Sequence, residues 1–183
     1  MTNESGQQSG GTVRRIGDID VTGIADALGD SGGETAWWFD PSTGQIEMRL
    51  PTWSEFAVDD DDEYDDPRDR GLIEIEAEGS RAAYRDMVDF AEAVGDRVVS
   101  ERLLRELEGR GAFRRFRDAV HDLPEVSERW VPYSKACAES RAIHWLVAAG
   151  QAGEIDAEHE LVARADIVES VTNEIGGRAD LEK

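Results

Sequence analysis

The sequence predicts an α+β fold: a small antiparallel sheet with a β-hairpin at its centre, packed against a bundle of about four helices. Three observations lead there. Strand-like runs gather within the first 75 residues, and from Ser80 onward the apolar residues fall at helical spacing. The third is material. A chain of 183 residues, 39% hydrophobic and with five tryptophans, can build one real core, because a domain near 150 residues hides roughly 68–70% of its unfolded surface.

The elements follow in chain order. Residues 1–11 are polar and rich in Gly and Ser and read as a disordered lead-in, with a single α+β domain expected over 12–150. Val21, Ile24 and Leu28 recur at helical spacing behind Asp20, which suits a cap, and before Gly29. Residues 36–39 (AWWF) and 45–50 (QIEMRL) are strand-like, and the five residues between them have turn chemistry. Pro41 presets φ, the Asp40 carboxylate can accept from nearby N–H groups, and Gly44 tolerates positive φ. Alternation puts Trp37 and Phe39 on one side of this hairpin and Trp38 on the other. Core burial is expected for at least two of the three, and an outward-facing one would offer a flat apolar contact. Residues 59–66 (DDDDEYDD) hold seven carboxylates in eight positions, so self-repulsion predicts an exposed loop. Residues 72–75 (LIEI) read as a third strand.

Ser80 is placed to cap a helix carrying Tyr84, Met87, Val88, Ala91 and Val94 on one face. Asp96 caps a second, with Val99, Leu103 and Leu107 inward and a stop at Gly109. A third begins near Gly111, carries Phe113, Phe116, Val120 and Leu123 along one stripe, and ends before Pro124. The fourth is expected from Pro132, a residue favoured in a first turn, to Ala149. Residues 151–183 read as an acidic, partly helical tail. Its amphipathic set (Leu161, Ala165, Val168, Val171, Ile175) would let it dock, pair with another chain or stay loosely formed. No internal repeat is visible.

Charge narrows the functional classes. Forty-one acidic against 20 basic residues give a net charge of −21, which favours solubility and repels nucleic acid and anionic membranes at long range. Only Lys135 and Lys183 among the basic residues are lysine, a usage that suits a GC-rich bacterial genome or a salt-adapted organism. The lone cysteine, Cys137, has no internal disulfide partner and builds no Cys-rich metal site, so a reducing, cytoplasmic compartment is expected. No apolar run approaches the roughly 18 residues of a membrane span. Arg14-Arg15 is followed by Asp18 and Asp20 where a twin-arginine export signal needs an apolar stretch.

The segment 109–118 (GRGAFRRFRD) resembles the signature of an uncharacterised bacterial protein family. The hairpin string WWFDPSTG, residues 87–90, Trp130 with Tyr133, and Trp145-Leu146 are similar to it as well, so the likeness spans roughly 16–150. It speaks to membership and implies no reaction or ligand.

The same segment stands out physically. Residues 109–117 hold four arginines (Arg110, Arg114, Arg115 and Arg117) and no acid. On a helix, Arg114, Arg117 and His121 share a face roughly opposite Phe113, Phe116 and Val120. Gly109 and Gly111 permit a tight turn whose exposed N–H groups favour an anion, with Arg110 beside them and Gly111 at the turn itself. Charges beyond the Debye length of ~8 Å are largely screened, so the cluster can act locally despite the overall sign. The competing reading pairs these arginines with Glu106, Glu108, Asp118, Asp122 or the acidic loop. In a mixed case the acidic loop covers them until a partner displaces it.

Other chemistry is thin. Cys137 and His144 lie seven residues apart, about 10 Å along a helix, too far for direct proton transfer. His121, His144 and His159 lack ligand spacing for zinc, and the 59–66 carboxylates lack the pattern of a calcium loop. Neither a phosphate-cradling loop nor a nucleophile-elbow motif occurs, and no metal or cofactor is expected. Two functional readings remain. One is a non-catalytic binding module that contacts an acidic protein segment or a nucleic-acid backbone through 110–117. The other is an enzyme for a phosphorylated or carboxylated small molecule, with Arg110 and Arg114 as clamps and only Asp118 and His121 within reach as acid or base.

Overall fold

The computed structural model describes residues 14–30, 32, 35–50 and 66–177. The expected lead-in over 1–11, the acidic run except Asp66, and residues 178–183 lie outside that set. Among the described residues the order is a 3₁₀ turn (Ile16–Asp18), α1 (Val21–Gly29), β1 (Ala36–Asp40), β2 (Gln45–Arg49), β3 (Ile73–Ile75), α2 (Ser80–Ala93), α3 (Arg97–Glu106), α4 (Ala112–His121), α5 (Pro124–Ala148) and α6 (Glu154–Gly176). The fold is α+β as expected, with six α-helices rather than a bundle of about four and a sheet of only three short strands.

The hairpin forms from the residues that predicted it. Asp40 Oδ1 accepts from the Ser42 amide at 2.7 Å and the Ser42 hydroxyl at 2.6 Å, while Oδ2 accepts from Thr43 Oγ1 at 2.9 Å. Gly44 closes the turn at φ +77°, a region costly for a residue with a Cβ. The strand order is β2-β1-β3, all antiparallel, so β1 is the central strand and β2 an edge. Register places Trp38 between Glu47 and Glu74 on one face. Trp37, Phe39, Ile46, Ile73 and Ile75 join the core from the other.

Trp38 faces outward yet is only 6% exposed. The turn over 67–71 lays Arg68 across it, with the guanidinium carbon 5.2 Å from the ring centroid. Arg68 pairs with Glu74 and Arg70 with Glu47, so both flanking carboxylates hold this cover in place. No flat apolar contact is left at this residue.

Two hydrophobic clusters make up the core. The first gathers α1, the sheet, the second half of α5 and the start of α6 around Ile24, Phe39, Ile143 and Leu146. The second gathers α2, α3, α4, the first half of α5 and the end of α6 around Phe90, Leu103 and Phe116. Trp130 lies at its centre, with centroids 5.0 Å from both Phe90 and Phe116 in edge-on geometry, pairs that add about 0.5–1.5 kcal/mol each beyond area burial. The α5–α6 pair spans both clusters, and α5, at 25 residues, is roughly 37 Å long.

This spine corrects one expectation and narrows another. Helix α5 starts at Pro124, not near Pro132, which lies inside it. A proline there removes one backbone donor, but Val126 and Trp130 pack into the second cluster and hold the preceding turns helical. The segment from 151, expected to dock, pair with another chain or stay loosely formed, forms α6 and docks through Gly176. Ala157, Leu161, Val168, Val171 and Ile175 pack against the rest of the chain, while Ala165 is exposed. Between the clusters, Arg164 of α6 reaches Glu139 of α5 at 3.2 Å, and Glu139 also accepts from Thr22 Oγ1 of α1 at 3.0 Å. Arg141 turns the other way to Asp86 of α2 at 2.8 Å.

Candidate functional site

The short link between α3 and α4 is built on two glycines. Gly109 and Gly111 adopt φ +72° and +77°, positions where a left-handed backbone costs other residues about 1–2 kcal/mol. This double turn directs α4 back across α3, and its apolar stripe (Ala112, Phe116, Ala119, Val120) enters the second cluster. The opposite face is left to solvent.

The four arginines of the segment divide into two kinds. Arg115 folds back onto the end of α3. Its guanidinium donates to the carbonyls of Glu106 at 3.1 Å, of Glu108 and of Arg110, and its Nε lies 3.4 Å from Glu106 Oε2. It lies against Gly111, where an added Cβ would come within 3.3 Å of its terminal nitrogen. The last carbonyls of a helix lack intrahelical donors and carry partial negative charge, so a guanidinium there closes the helix end. The donors of Arg115 are therefore committed to the chain's own carbonyls and to the Glu106 carboxylate.

Arg110, Arg114 and Arg117 are exposed. Arg114 approaches Asp118 at 3.8 Å, with both side chains largely in solvent, a pairing of little energetic worth. Arg110 and Arg117 have no ion-pair partner among the described residues. Asp122 is engaged by Arg102 at 2.8 Å and Glu106 by Arg115. His121 is exposed in the last turn of α4.

Two aromatic side chains adjoin this basic face. Tyr84 of α2, expected on a buried stripe, is instead 38% exposed and donates its hydroxyl to the Leu107 carbonyl at 3.1 Å. Its ring lies 6.4 Å from that of Phe113, itself 36% exposed, with 53° between the ring planes. Arg81 and Arg85, one turn before and one residue after Tyr84, are exposed and also lack an ion-pair partner among the described residues. Sequence reading missed Tyr84, Arg81 and Arg85. The signal was present, since two basic residues four apart bracket an aromatic on one helix face.

Two grooves seen among the described residues lie apart from these arginines. They run along the α5–α6 seam, of about 370 and 580 Å³, and His144 lines both. None of Arg110, Arg114, Arg117 or His121 lines either. Cys137 lies in the larger groove with His144, but burial pushes its thiol up to about 11, aided by the negative charge of Asp86. The thiol stays protonated near neutrality and is a poor nucleophile. Burial likewise holds the Tyr133 hydroxyl, hydrogen-bonded to Cys137, far above the usual phenol range. Among the described residues no group of three or more His, Cys, Asp or Glu side chains is arranged to hold a metal ion, and no helix is long and apolar enough to cross a membrane.

No protein-family model, curated protein or solved structure matches the chain.

Proposed function

We propose that this protein is a non-catalytic binding module whose contact surface is the exposed face of Arg110, Arg114 and Arg117. Its partner is anionic, and a cytoplasmic setting fits the lone cysteine. One observation carries the reading. In a chain of net charge −21, Arg110 and Arg117 have no ion-pair partner among the described residues, and Arg114 has only a 3.8 Å solvent-exposed contact. A surface basic residue in so acidic a molecule has many carboxylates available to it. Arginines without such a partner among the described residues, in the turn before α4 and on its exposed face, keep their forked donors for an external carboxylate or phosphate. Gly111 contributes through the turn that sets α4 in place, and Arg115 by closing α3.

The exposed face of α4 supports binding over catalysis. The carboxylate nearest the proposed clamp, Asp118, lies against Arg114 itself, and an acid or base beside a reacting atom needs a concave site to exclude water.

The test is a fluorescence-anisotropy titration at low salt with two labelled probes, a ten-residue polyglutamate and a ten-residue oligothymidine. Wild-type protein is expected to bind at least one of them. Arg114→Glu/Arg117→Glu is expected to weaken that binding by about tenfold or more, a change of about 1.4 kcal/mol. Absence of binding by the wild type, or superimposable curves for the two proteins, would overturn the reading.

A further inference from the structure

Resting on that reading, we infer that the partner is an acidic protein segment carrying one large apolar side chain, which seats against Tyr84 and Phe113 while its carboxylates meet the surrounding arginines. The two rings form a wedge rather than a platform. Their planes are inclined by 53° with centroids 6.4 Å apart, and roughly two-thirds of each residue is already covered. A nucleobase stacks on an open ring face, whereas these rings are tilted against one another and only about a third of each residue is exposed. A Phe or Leu side chain needs only exposed apolar surface to lose water against, and such burial adds to affinity in proportion to the area covered.

The hydrogen bond from Tyr84 to Leu107 fixes one wall of the wedge, so its rotamer need not be ordered on binding. The elements that carry the rings also carry exposed arginines, Arg81 and Arg85 on α2 and Arg114 and Arg117 on α4, with Arg110 in the turn before α4. Glu108 and Asp118 are the nearby exposed carboxylates of that segment. Aromatic and arginine residues are enriched among those that dominate protein–protein contact energies.

Charge separates the two partner classes further. A nucleic-acid strand carries a phosphate at every nucleotide and runs on past the patch over a surface of overall charge −21. A short acidic segment places a few charges within one Debye length, ~8 Å, of the arginines and ends there. The interface is thus selective for length and for the apolar residue, not for charge alone.

The experiment compares three labelled probes in anisotropy titrations: a ten-residue glutamate peptide with one central Phe, the same peptide with Ala in its place, and ten-residue oligothymidine. The Phe peptide is expected to bind wild-type protein about tenfold tighter than the Ala peptide and tighter than oligothymidine. Phe113→Ala is expected to erase the difference between the two peptides and leave the weaker, salt-sensitive binding, its folding checked by thermal melting. The peptide-side exchange leaves the protein untouched, so an unstable variant does not blur the result. Equal affinity for the two peptides would overturn this inference while the arginine surface stands. Tighter binding of oligothymidine would assign the surface to nucleic acid. Failure of every probe would remove both readings.

Discussion

Arg115 and Glu106 meet across the turn between α3 and α4, with Nε 3.4 Å from Oε2, while the same guanidinium donates to the carbonyl of Glu106 at 3.1 Å. One arginine thus closes a helix end and fixes the angle at which the next helix presents its neighbours. Replacing Arg115 with Ala is expected to lower stability by about 1–2 kcal/mol, the usual worth of charge-assisted bonds at a helix C-terminus. Arg115→Lys should recover only part of this, since an ammonium lacks the fork that spans several carbonyls. Chemical denaturation of the three proteins checks both. A neutral Arg115→Ala change would show that the closure contributes nothing.

The turn itself makes a second prediction. Gly111 at φ +77° should cost about 1–2 kcal/mol when changed to Ala, and Gly109→Ala should behave similarly. Urea melts give the values. Peptide binding by Gly111→Ala should fall together with its stability, because displacement of α4 moves Phe113 and Arg114 together.

Cys137 supplies a chemical prediction. With its thiol pushed up to about 11 by burial, on the order of 10⁻³ of it is thiolate at pH 8. Alkylation by iodoacetamide at pH 8 is therefore expected to be roughly a hundredfold slower in the folded protein than in urea. Similar rates in both states would show that burial does not suppress the thiolate, and a faster rate in the folded protein would reopen a catalytic role.

Asp40 supplies a pH dependence. Hydrogen bonds from the Ser42 hydroxyl, the largest cause, together with the Ser42 and Thr43 amides and the Thr43 hydroxyl, hold its carboxyl below the ordinary aspartate value. A depressed folded-state pKa contributes stability that is full above the unfolded value, near 3.9, and is lost as pH falls through the lower folded one. Thermal melts should show wild type more stable than Asp40→Asn by a constant margin from pH 5 to 8. That margin should shrink below about pH 4. A margin independent of pH would mean the carboxylate charge is irrelevant to the turn.

Legibility in the sequence tracked how local the causes were. The hairpin was readable because Asp40, Pro41 and Gly44 act within five residues of one another. The caps by Asp20 and Asp96 were readable for the same reason, each accepting from an amide two or three residues on. Ser80 was misread: it is the first helical residue, and Gly79 at φ +75° precedes it as the cap position. The start of α5 was missed because two prolines offered first-turn chemistry, and only the packing of Trp130 between Phe90 and Phe116 decides for Pro124. The basic segment was found by composition, but the assignment of its members was not. That Arg115 turns back to carbonyls as many as nine residues earlier, while Arg110 and Arg117 stay in solvent, depends on the two glycine turns acting together. Tyr84 was placed inward by periodicity. Its hydroxyl instead reaches the carbonyl of Leu107, which caps the end of α3, a partner that helical spacing does not reveal.

Everything functional depends on where an anionic ligand lands. Amide chemical-shift mapping of uniformly ¹⁵N-labelled protein during titration with the Phe-containing glutamate peptide tests this most directly. The account predicts saturable shifts concentrated at residues 81–85 and 107–118, with the amides of the sheet and of α1 unmoved. Shifts confined to the α5–α6 grooves, or spread evenly over the molecule, would contradict it.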